Sequence, residues 1–540
     1  MGNVPTILTF ILTMANCFTA MAQSRNVTAL ALAKPVTSYE RPIQLYGRFY
    51  KDVMSADSLF GPNKLLSESK SFADAVPRYD ANMILADYCR MDTVNLATFI
   101  TSHFILPTLI EKKFAEKTNI HTTIRELWHF LSCPADTVEP GTRIIMRHPY
   151  FVPDGRFREM YYWDSYFSML GMLADNEHDL VLSMLENFSD CIRQFGFIPN
   201  GMRTYYLGRS QPPFFSFMVE DAAVKYGDSI LVHYLPDMVA EYQFWMKGAD
   251  AISESHPCSL RVVRMPEGEI LNRYYDNYNT PREEAWRNDV EQAELLREKN
   301  PQADIQLLYH NLRAAAESGY DFSSRWMADG RNLYTIQTTD IVPVDLNCLL
   351  VHLEMTIARG YRLTGDKTSA THFANAAKMR AKAIREYMWS AGEGFFTDYL
   401  LSSRQQSPQL SLAGAYPLYC GVATRQQALR TEKTIKEKFL KKGGVVTTLA
   451  HTGQQWDAPN GWAPLQWIVY KGLQHYGRRA TAGTLRKRWM ETCSKVFSKT
   501  GKLLEKYDVE RQDLTGGGEY ENQTGFGWTN GVYRAMEKDP

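Results

Sequence analysis

Residues 153–167 read PDGRFREMYYWDSYF and place charged and aromatic side chains next to each other. Protein cores exclude charge unless it is paired, and solvated faces seldom carry so many rings. A pyranose ring suits such a surface, because its C–H faces stack on tryptophan or tyrosine while its hydroxyls bond to carboxylates and guanidinium groups. The segment therefore indicates a carbohydrate-binding surface. Its charged members are Arg156, Arg158, Glu159 and Asp164, and its aromatic members are Phe157, Tyr161, Tyr162, Trp163, Tyr166 and Phe167.

Two later segments, 199–215 and 455–464, show the same mixture and add side-chain amides. The first, PNGMRTYYLGRSQPPFF, contributes Asn200, Arg203, Arg209 and Gln211 beside Tyr205, Tyr206, Phe214 and Phe215. The second, QWDAPNGWAP, contributes Trp456, Asp457, Asn460 and Trp462. Any one of the three segments is explained equally well as a buried polar network that braces a loop. Three in one chain favour carbohydrate binding.

Cleavage of a glycosidic bond needs two carboxyl groups that face each other across the bond. One protonates the leaving oxygen, and the other activates water or attacks carbon. The chain has 60 acidic residues, so composition alone does not choose the pair. The candidates in glycine-rich or aromatic loops are Asp164, Glu284, Asp321, Asp457, Glu505 and Glu519. Taken singly, each is better explained as a helix cap or a salt-bridge partner.

Other chemistries find little support in the sequence. The glycine run 516–518 is not followed by Lys-Ser/Thr, so it does not predict a phosphate-binding loop. The 12 histidines include no HExxH or similar ligand spacing, and no GxSxG elbow is present. A formal net charge of zero indicates no basic surface for nucleic acid. We therefore predict no metal, no cofactor and no nucleic-acid partner.

Amphipathic helices separate the loops that hold these residues. Apolar residues recur at steps of three and four over 182–195, 236–245, 345–361 and 373–388. The last two helices are joined by a few residues, which predicts an αα-hairpin. The intervening loops are long and aromatic, at 196–215, 264–288, 317–343, 451–464 and 510–531. Helical hairpins with ordered loops at one end describe a barrel of helices in one domain, with a pocket at its mouth.

The N-terminus has a different composition from the rest of the chain. An apolar run that starts at Ile7 ends in Ala20-Met21-Ala22, the small-x-small pattern that signal peptidase recognises. We predict a signal peptide over 1–22 and an exported mature chain over 23–540, either periplasmic or secreted. No later stretch reaches the ~18 apolar residues that a membrane span requires, so no membrane anchor is expected after cleavage.

Cysteine and asparagine patterns carry less information. Once Cys17 is removed with the signal, an odd number of cysteines remains and none forms a CxxC pair, so free thiols are expected. Asn26, Asn187 and Asn522 each begin an N-x-Ser/Thr sequon, which matters only where secreted proteins are glycosylated.

The motifs together make the sequence recognisable, because it resembles the trehalases of glycoside hydrolase family 37. PDGRFREMYYWDSYF matches one family signature, with Asp154 in place of a glycine, and QWDAPNGWAP matches the second. The similarity extends to PNGMRTYYLGRSQPPFF, ESGYDFSSRW at 317–326 and GGGEYENQTGFGWTNG at 516–531, and it spans roughly residues 40 to 536. The resemblance implies an all-α fold, an (α/α)6 barrel, in agreement with the hairpin-and-loop pattern.

Carried over residue by residue, the resemblance makes Asp321 the general acid and Glu505 the general base. By its sequence context, between Lys502 and Lys506, Glu505 has the pattern of an exposed helix face. Tyr320 stands where the family usually has tryptophan, and Glu283 stands where it commonly has proline, whose fixed φ is then absent. The implied substrate contacts are Arg156, Trp163, Asp164, Asn200, Arg209, Ser210, Gln211, Arg282, Glu284, Gly319 and Glu519.

The reaction implied is hydrolysis of α,α-trehalose to two glucose molecules with inversion at the attacked carbon. An inverting enzyme needs space for water, so its two carboxyl groups stand about 6.5–9.5 Å apart. We expect a monomer whose partner is the small-molecule substrate. One alternative is a hydrolase of another α-linked glucoside on the same barrel, and a second is a non-catalytic protein that binds carbohydrate.

Overall fold

The computed structural model describes residues 39–91, 95–108, 119–137, 141–516 and 518–539. The predicted signal peptide and the first sequon, Asn26, lie outside these residues. Residues Glu40–Pro540 form one compact unit. No helix within the described ranges is long and apolar enough to cross a bilayer.

Helices dominate the described chain. They are α1 Pro42–Met54, α2 Ser69–Ala73, α3 Ala81–Arg90, α4 Leu96–His103, α5 Ile120–Leu131, α6 Tyr162–Asp175, α7 His178–Phe195, α8 Phe215–Tyr226, α9 Ser229–His233 and α10 Leu235–Trp245. They continue as α11 Trp286–Lys299, α12 Ile305–Glu317, α13 Val344–Thr364, α14 Lys367–Tyr387, α15 Tyr416–Tyr419, α16 Arg425–Thr434, α17 Ala463–His475, α18 Arg479–Thr500 and α19 Gly527–Lys538. The predicted hairpin is α13 packed on α14, so that prediction is confirmed.

The strands are two or three residues long and form small separate sheets. They are β1 Val76–Pro77, β2 Phe104–Ile105, β3 Ser132–Cys133, β4 Tyr150–Phe151, β5 Cys258–Ser259, β6 Val262–Arg264, β7 Ile270–Asn272 and β8 Ile341–Val342. The rest are β9 Trp389–Ser390, β10 Phe395–Phe396, β11 Tyr399–Leu400, β12 Gln405–Gln406, β13 Leu440–Lys441, β14 Gly444–Val445, β15 Asn460–Trp462 and β16 Lys506–Asp508. Pairing between β15 and β16 joins two of the long loops.

Six helices form a closed inner ring. In order around the ring these are α6, α8, α13, α15, α17 and α19, and each packs on the next. The ring closes because α19 packs on α6. Helices α7, α10, α14 and α18 pack against this ring from outside. Helix α6 is buried on all sides from Tyr162 to Met172, as expected of a helix inside a double layer. The (α/α)6 barrel is thereby confirmed.

Two glycines allow the ring to close. A Cβ on Gly171 of α6 would lie 2.5 Å from the Cα of Gly531 in α19. A Cβ on Gly531 would lie 2.0 Å from the carbonyl oxygen of Phe167. Only residues without a side chain permit the two backbones to approach this closely. The motif that ends in Gly531 therefore has a structural role in addition to any chemical one.

The inner helices place their N-termini at one end of the barrel. Trp163 in the first turn of α6, Gln211 before α8, Trp462 before α17 and Trp528 in the first turn of α19 all line the same cavity. The long loops predicted from sequence lead into these helix starts, so they gather at that end. Ordered loops around a common pocket are the arrangement that the sequence predicted.

Residues 40–108, described except for 92–94, form a second and smaller apolar core, which we call the N-terminal segment. Phe49, Tyr50 and Phe72 are central to this core, and Trp286 of α11 packs into it. Helix α2, in the middle of the N-terminal segment, contacts the turn Glu283–Ala285 that precedes α11. The segment is therefore attached to the barrel beside the loops that surround the cavity.

The structure also describes the cysteines and the second sequon, Asn187. The cysteines after residue 22 are all unpaired. Asn187 is buried within α7, and its side-chain amide donates to the carbonyl of His148 at 2.9 Å. In the folded protein this sequon is inaccessible to a glycosylating enzyme, because its acceptor nitrogen is enclosed.

Candidate active site

One cavity of about 820 Å³, its open mouth included, lies where the loops meet. Its walls contain both predicted catalytic acids, Asp321 and Glu505, which come from loops far apart in sequence. The predicted binding residues at its walls are Arg156, Trp163, Asp164, Asn200, Arg209, Gln211, Arg282, Glu284, Gly319 and Glu519. The tertiary fold thus gathers residues that the sequence distributes over more than 350 positions.

Asp321 lies shortly after the end of α12, on a turn that depends on Gly319. Gly319 has φ +76°, and a Cβ there would lie 2.7 Å from the indole of Trp163. Burial among the cavity walls, together with the negative charge of Glu519, raises the pKa of Asp321 to about 8, while Arg282 opposes that rise. A carboxyl group in this state is protonated at neutral pH and can donate a proton.

Glu505 is fully buried and immediately precedes β16. The pairing of β16 with β15 places Lys506 opposite Trp462, which brings Glu505 to the cavity wall. The sequence pattern of an exposed helix face was therefore misleading at this position. Short strands, which carry little periodic signal, determine where this carboxylate lies.

Both carboxylate oxygens of Glu505 accept hydrogen bonds. Lys506 Nζ donates to Oε2 at 2.9 Å, and the Tyr520 hydroxyl donates to Oε1 at 2.8 Å. The Lys506 ammonium is itself fully buried and also donates to Oε1 of Gln455 at 3.2 Å. These contacts hold both oxygens of the predicted general base in place at the cavity wall.

Asp164 lies in the first turn of α6, facing the same cavity. Burial, with added contributions from the charges of Glu505 and Asp321, raises the pKa of Asp164 well above its ordinary value. The charges of two other acidic groups therefore act on Asp164 across the cavity. Like charges in one site separate protonated from ionised carboxyls, the usual basis for dividing acid and base roles.

Two arginines balance part of this negative charge. Arg209 donates to Asn200 Oδ1 at 2.8 Å and to Glu284 Oε1 at 2.6 Å. Arg282 donates to Glu519 Oε1 at 2.7 Å. Burial raises the pKa of Glu284, but Arg209 and Arg282 outweigh it, so the net pKa is lowered. The second oxygen of Glu284, Oε2, is buried without a hydrogen-bond partner, which leaves it available to a ligand hydroxyl.

Aromatic rings form the apolar part of the wall. Trp456 and Trp462 stack with ring centroids 4.0 Å apart and planes at 3°. Tyr320, which does not line the cavity, also stacks on Trp456 with ring centroids 4.8 Å apart, and the ring centroid of Trp163 lies 5.6 Å from that of Trp456. Flat, rigid rings beside charged donors provide both surfaces that a sugar ring needs.

Several residues from the polar-aromatic segments do not line the cavity but brace its loops. Ser210 donates its hydroxyl to the carbonyl of Ile198 at 2.7 Å, and it is the one predicted binding residue that lies behind the wall. Asp457 accepts from the hydroxyls of Ser323, Ser324 and Thr448. At these positions the geometry supports the alternative explanation from the sequence, a buried polar network that braces a loop.

Two of the three departures from the family pattern, Glu283 and Asp154, introduce carboxylates that are bonded within the protein. Glu283 is buried and accepts from Arg41 at 3.0 Å and from Arg313 at 2.6 Å, so its charge is paired with two cations. Asp154 is buried and accepts from the backbone N–H groups of Arg156 at 2.9 Å and Phe157 at 2.7 Å. Each new carboxylate therefore has a local structural role beside the cavity.

Sequence reasoning missed some residues of the wall. They include Glu68, Lys70, Asn288, Tyr520 and Trp528. Tyr520 and Trp528 lie within a motif that was recognised, so proximity to Glu519 was an available signal. Glu68 and Lys70 come from the N-terminal segment, where no motif indicated a role. Within the described ranges, no cluster of three or more His, Cys, Asp or Glu residues could hold a metal ion.

Comparisons with known proteins agree with this geometry. The family model described as Trehalase matches residues 64–538. Periplasmic trehalase of Citrobacter koseri is 42% identical over 518 residues, which cover 95% of this chain and 89% of that protein. Periplasmic trehalase of Escherichia coli O8 is 42% identical over 526 residues, which cover 96% and 90%.

Solved structures extend the similarity to three dimensions. Neutral trehalase Nth1 from Saccharomyces cerevisiae has a TM-score of 0.60 and 28% identity, covering 72% of this chain and 73% of that one. A mannosylglycerate hydrolase of family GH63 from Thermus thermophilus, in complex with glucose, has a TM-score of 0.52 at 16% identity, covering 78% and 100%, and shares the fold. The extent of the family match and the identity to curated relatives together show that this chain belongs to the trehalase family.

Proposed function

We propose that this chain hydrolyses α,α-trehalose to two glucose molecules with inversion, with Asp321 as general acid and Glu505 as general base. The observation that carries the proposal is the pairing of unlike carboxyl groups in one cavity. The pKa of Asp321 is raised to about 8, chiefly by burial, whereas Glu505 is bonded to the Lys506 ammonium. The relatives named periplasmic trehalase support trehalose as the substrate.

In the proposed reaction, the protonated carboxyl of Asp321 transfers its proton to the glycosidic oxygen as the C–O bond breaks. Glu505 accepts a proton from a water molecule whose oxygen bonds to the anomeric carbon from the opposite face. One glucose leaves with the β configuration and the other keeps α. Glu505 gains one proton and Asp321 loses one, so exchange of protons with solvent returns both groups to their starting protonation states.

Binding is assigned to the charged and aromatic groups of the wall. The guanidinium groups of Arg156, Arg209 and Arg282 donate to sugar hydroxyls, and Glu284 accepts through its unpartnered Oε2. Trp163 supplies a ring for the apolar face of the sugar. Asp164, Asn200, Gln211, Gly319 and Glu519 complete the proposed set. Ser210 contributes through the loop that it braces.

The glycine-rich segment 516–531 is proposed to close over the bound sugar and to exclude water from the reaction. Glu519 and Tyr520 in that segment already bond to Arg282 and Glu505 across the cavity. Limited proteolysis with and without a trehalose mimic tests this idea. Protection of the segment is the expected result, and equal cleavage in both samples would contradict closure.

The wider setting of the enzyme is also part of the proposal. We propose that residues 1–22 are removed on export and that the mature chain acts outside the cytoplasm as a monomer without a membrane anchor. The curated relatives named periplasmic support the location. Size-exclusion chromatography of the periplasmic fraction measures both the compartment and the molecular mass.

The decisive assay follows the anomers of released glucose by NMR immediately after trehalose is added. Equal initial amounts of α- and β-glucose are expected from inversion, and exclusively α product would contradict it. Maltose and related disaccharides run in parallel separate trehalose from another α-linked glucoside. Trehalose binding without turnover would favour the non-catalytic alternative.

A further inference from the structure

Glu68 reaches the cavity from the N-terminal segment, although it precedes every motif that identified the site. It is the residue immediately before α2, and it lines the cavity together with Arg156. Its carboxylate is about one-third exposed, whereas the Arg156 side chain is 14% exposed. The ion pair between these two residues therefore lies at the inner edge of the cavity and is not on the open protein surface.

The pair uses both oxygens of the carboxylate. Arg156 donates through Nε to Glu68 Oε1 at 2.8 Å and through Nη2 to Oε2 in a close contact. A two-point bond of this kind fixes the plane of the guanidinium group, which a single contact does not. The remaining nitrogen of Arg156, Nη1, is buried and has no hydrogen-bond partner. Glu68 thus fixes the guanidinium group of Arg156 in an orientation that leaves Nη1 available to a ligand.

The same guanidinium group connects Glu68 to the proposed base. Its Cζ lies 4.4 Å from the centroid of the Tyr520 ring and 4.3 Å from that of Phe157. The Tyr520 hydroxyl donates to Oε1 of Glu505 at 2.8 Å. A flat cation against a ring restricts the ring's motion and is attracted to its face. Glu68, Arg156, Tyr520 and Glu505 therefore form a continuous series of contacts.

We propose that Glu68 is a positioning residue of the active site, which orients Arg156 toward the sugar and, through Tyr520, holds Glu505 in place. This inference rests on the proposed function, because it assumes that Arg156 and Glu505 act on the substrate. It assigns to the N-terminal segment a part in catalysis, in addition to its part in stability.

Attachment of the N-terminal segment does not depend on Glu68 alone. Lys70 pairs with Glu159 at 2.5 Å, Arg41 pairs with Glu283 at 3.0 Å, and Asp57 pairs with Arg287 at 2.5 Å. The first two pairs are buried. Replacement of Glu68 is therefore expected to alter the orientation of Arg156 while the segment stays attached.

The test compares Glu68→Gln with Asp57→Asn in the full mature chain. Both substitutions remove a carboxylate by which the N-terminal segment pairs with an arginine, but only Glu68 lines the cavity. Loss of a charge-assisted, two-point hydrogen bond predicts that kcat/KM for trehalose falls by about tenfold or more in Glu68→Gln. Asp57→Asn is expected to stay within about twofold of wild type, as is usual for exposed pairs.

A double-mutant cycle distinguishes positioning from a general structural effect. Tyr520→Phe removes the hydrogen bond to Glu505, and we expect the combined loss in Glu68→Gln/Tyr520→Phe to be smaller than the product of the single losses. Glu68→Gln activity equal to that of Asp57→Asn, or losses that multiply independently, would overturn the inference. If the glutamine variant does not fold, Glu68→Asp keeps the charge but withdraws the carboxylate by one methylene, and unchanged kcat/KM in that variant would equally overturn it.

The activity of the unmodified chain distinguishes a failure of this inference from a failure of the proposed function. If the unmodified chain fails to release glucose from trehalose, the proposed function is wrong. If the unmodified chain is active and Glu68→Gln is as active as wild type, only the role of Glu68 is wrong.

Discussion

The ammonium group of Lys506 lies 2.9 Å from Oε2 of Glu505, and both side chains are almost completely buried. The two residues are neighbours in sequence, yet they point to the same place because Glu505 lies just before β16 begins. Buried ions are costly to separate from water, so each of these charges depends on the other. Lys506 and the Tyr520 hydroxyl are therefore the two contacts that hold the proposed base in place.

Lys506→Gln is expected to lower the free energy of unfolding by about 3 kcal/mol or more, because it leaves the Glu505 carboxylate buried without its cation. Turnover should fall as well, because the carboxylate loses one of the two contacts that hold it at the cavity wall. Chemical denaturation and glucose-release kinetics check the two effects.

Lys502→Gln is the matched control for that variant. Lys502 is exposed and lies three residues before Glu505, so stability and turnover should stay near wild type. Equal stability and turnover in the two variants would show that Lys506 does not support the proposed base.

Asp321→Asn and Glu505→Gln should each reduce kcat by about a thousandfold or more, because proton transfer to the leaving oxygen or from water is lost. Binding of trehalose should persist, since the arginines and aromatic rings of the wall remain. Isothermal titration calorimetry and glucose release measure the two properties separately. Near-normal turnover in either variant would show that the acid and base have been assigned incorrectly.

The pH dependence follows from the raised pKa of Asp321, about 8, caused first by burial and then by Glu519. The acid form is present below that pKa and is lost as pH rises through it, so kcat/KM should decline above about pH 8. In Glu519→Gln the charge that helps to raise the pKa is gone, and the alkaline limb should move roughly one unit lower. Glu521→Gln, at an exposed position two residues on, should leave that limb in place.

Gly319→Ala should lower kcat/KM by about tenfold or more. Its φ of +76° is strained for alanine, and the added Cβ would meet the Trp163 indole at 2.7 Å. Relief of that contact must move either the indole or the turn that carries Asp321, and small displacements of catalytic groups are costly. Gly392→Ala, where a Cβ meets nothing within 4 Å, is the comparison, and equal activity in the two variants would contradict the prediction.

Gly531→Ala should destabilise the barrel, because its Cβ would lie 2.0 Å from the carbonyl oxygen of Phe167. Overpacking of two backbones at this closing contact is expected to cost about 3 kcal/mol and to lower the thermal midpoint. Gly483→Ala within α18 has open space around it and should instead stabilise by about 0.5–1 kcal/mol. An unchanged midpoint for Gly531→Ala would mean that the ring closes without this close approach.

Much of the fold could be predicted from local pattern. Apolar residues at steps of three and four predicted α7, α10, α13 and α14 correctly, because helix periodicity depends on residues that are close in sequence. Gly196 directly follows α7 and has the left-handed conformation, with φ +83°, that commonly ends a helix. The polar-aromatic loops were recognised because charge beside aromatic rings is unusual in any short segment.

The sequence by itself determined that helical hairpins carry charged aromatic loops, and through its motifs it identified the family and predicted the two acids. Only the tertiary structure decided that Glu505 is buried, that Ser210 lies behind the wall, and that Glu68 reaches the cavity. The physical reason is that these facts depend on contacts across many residues, such as 88 between Glu68 and Arg156. Periodicity reports which face of an element is apolar, whereas ring closure and strand pairing decide which distant side chains meet.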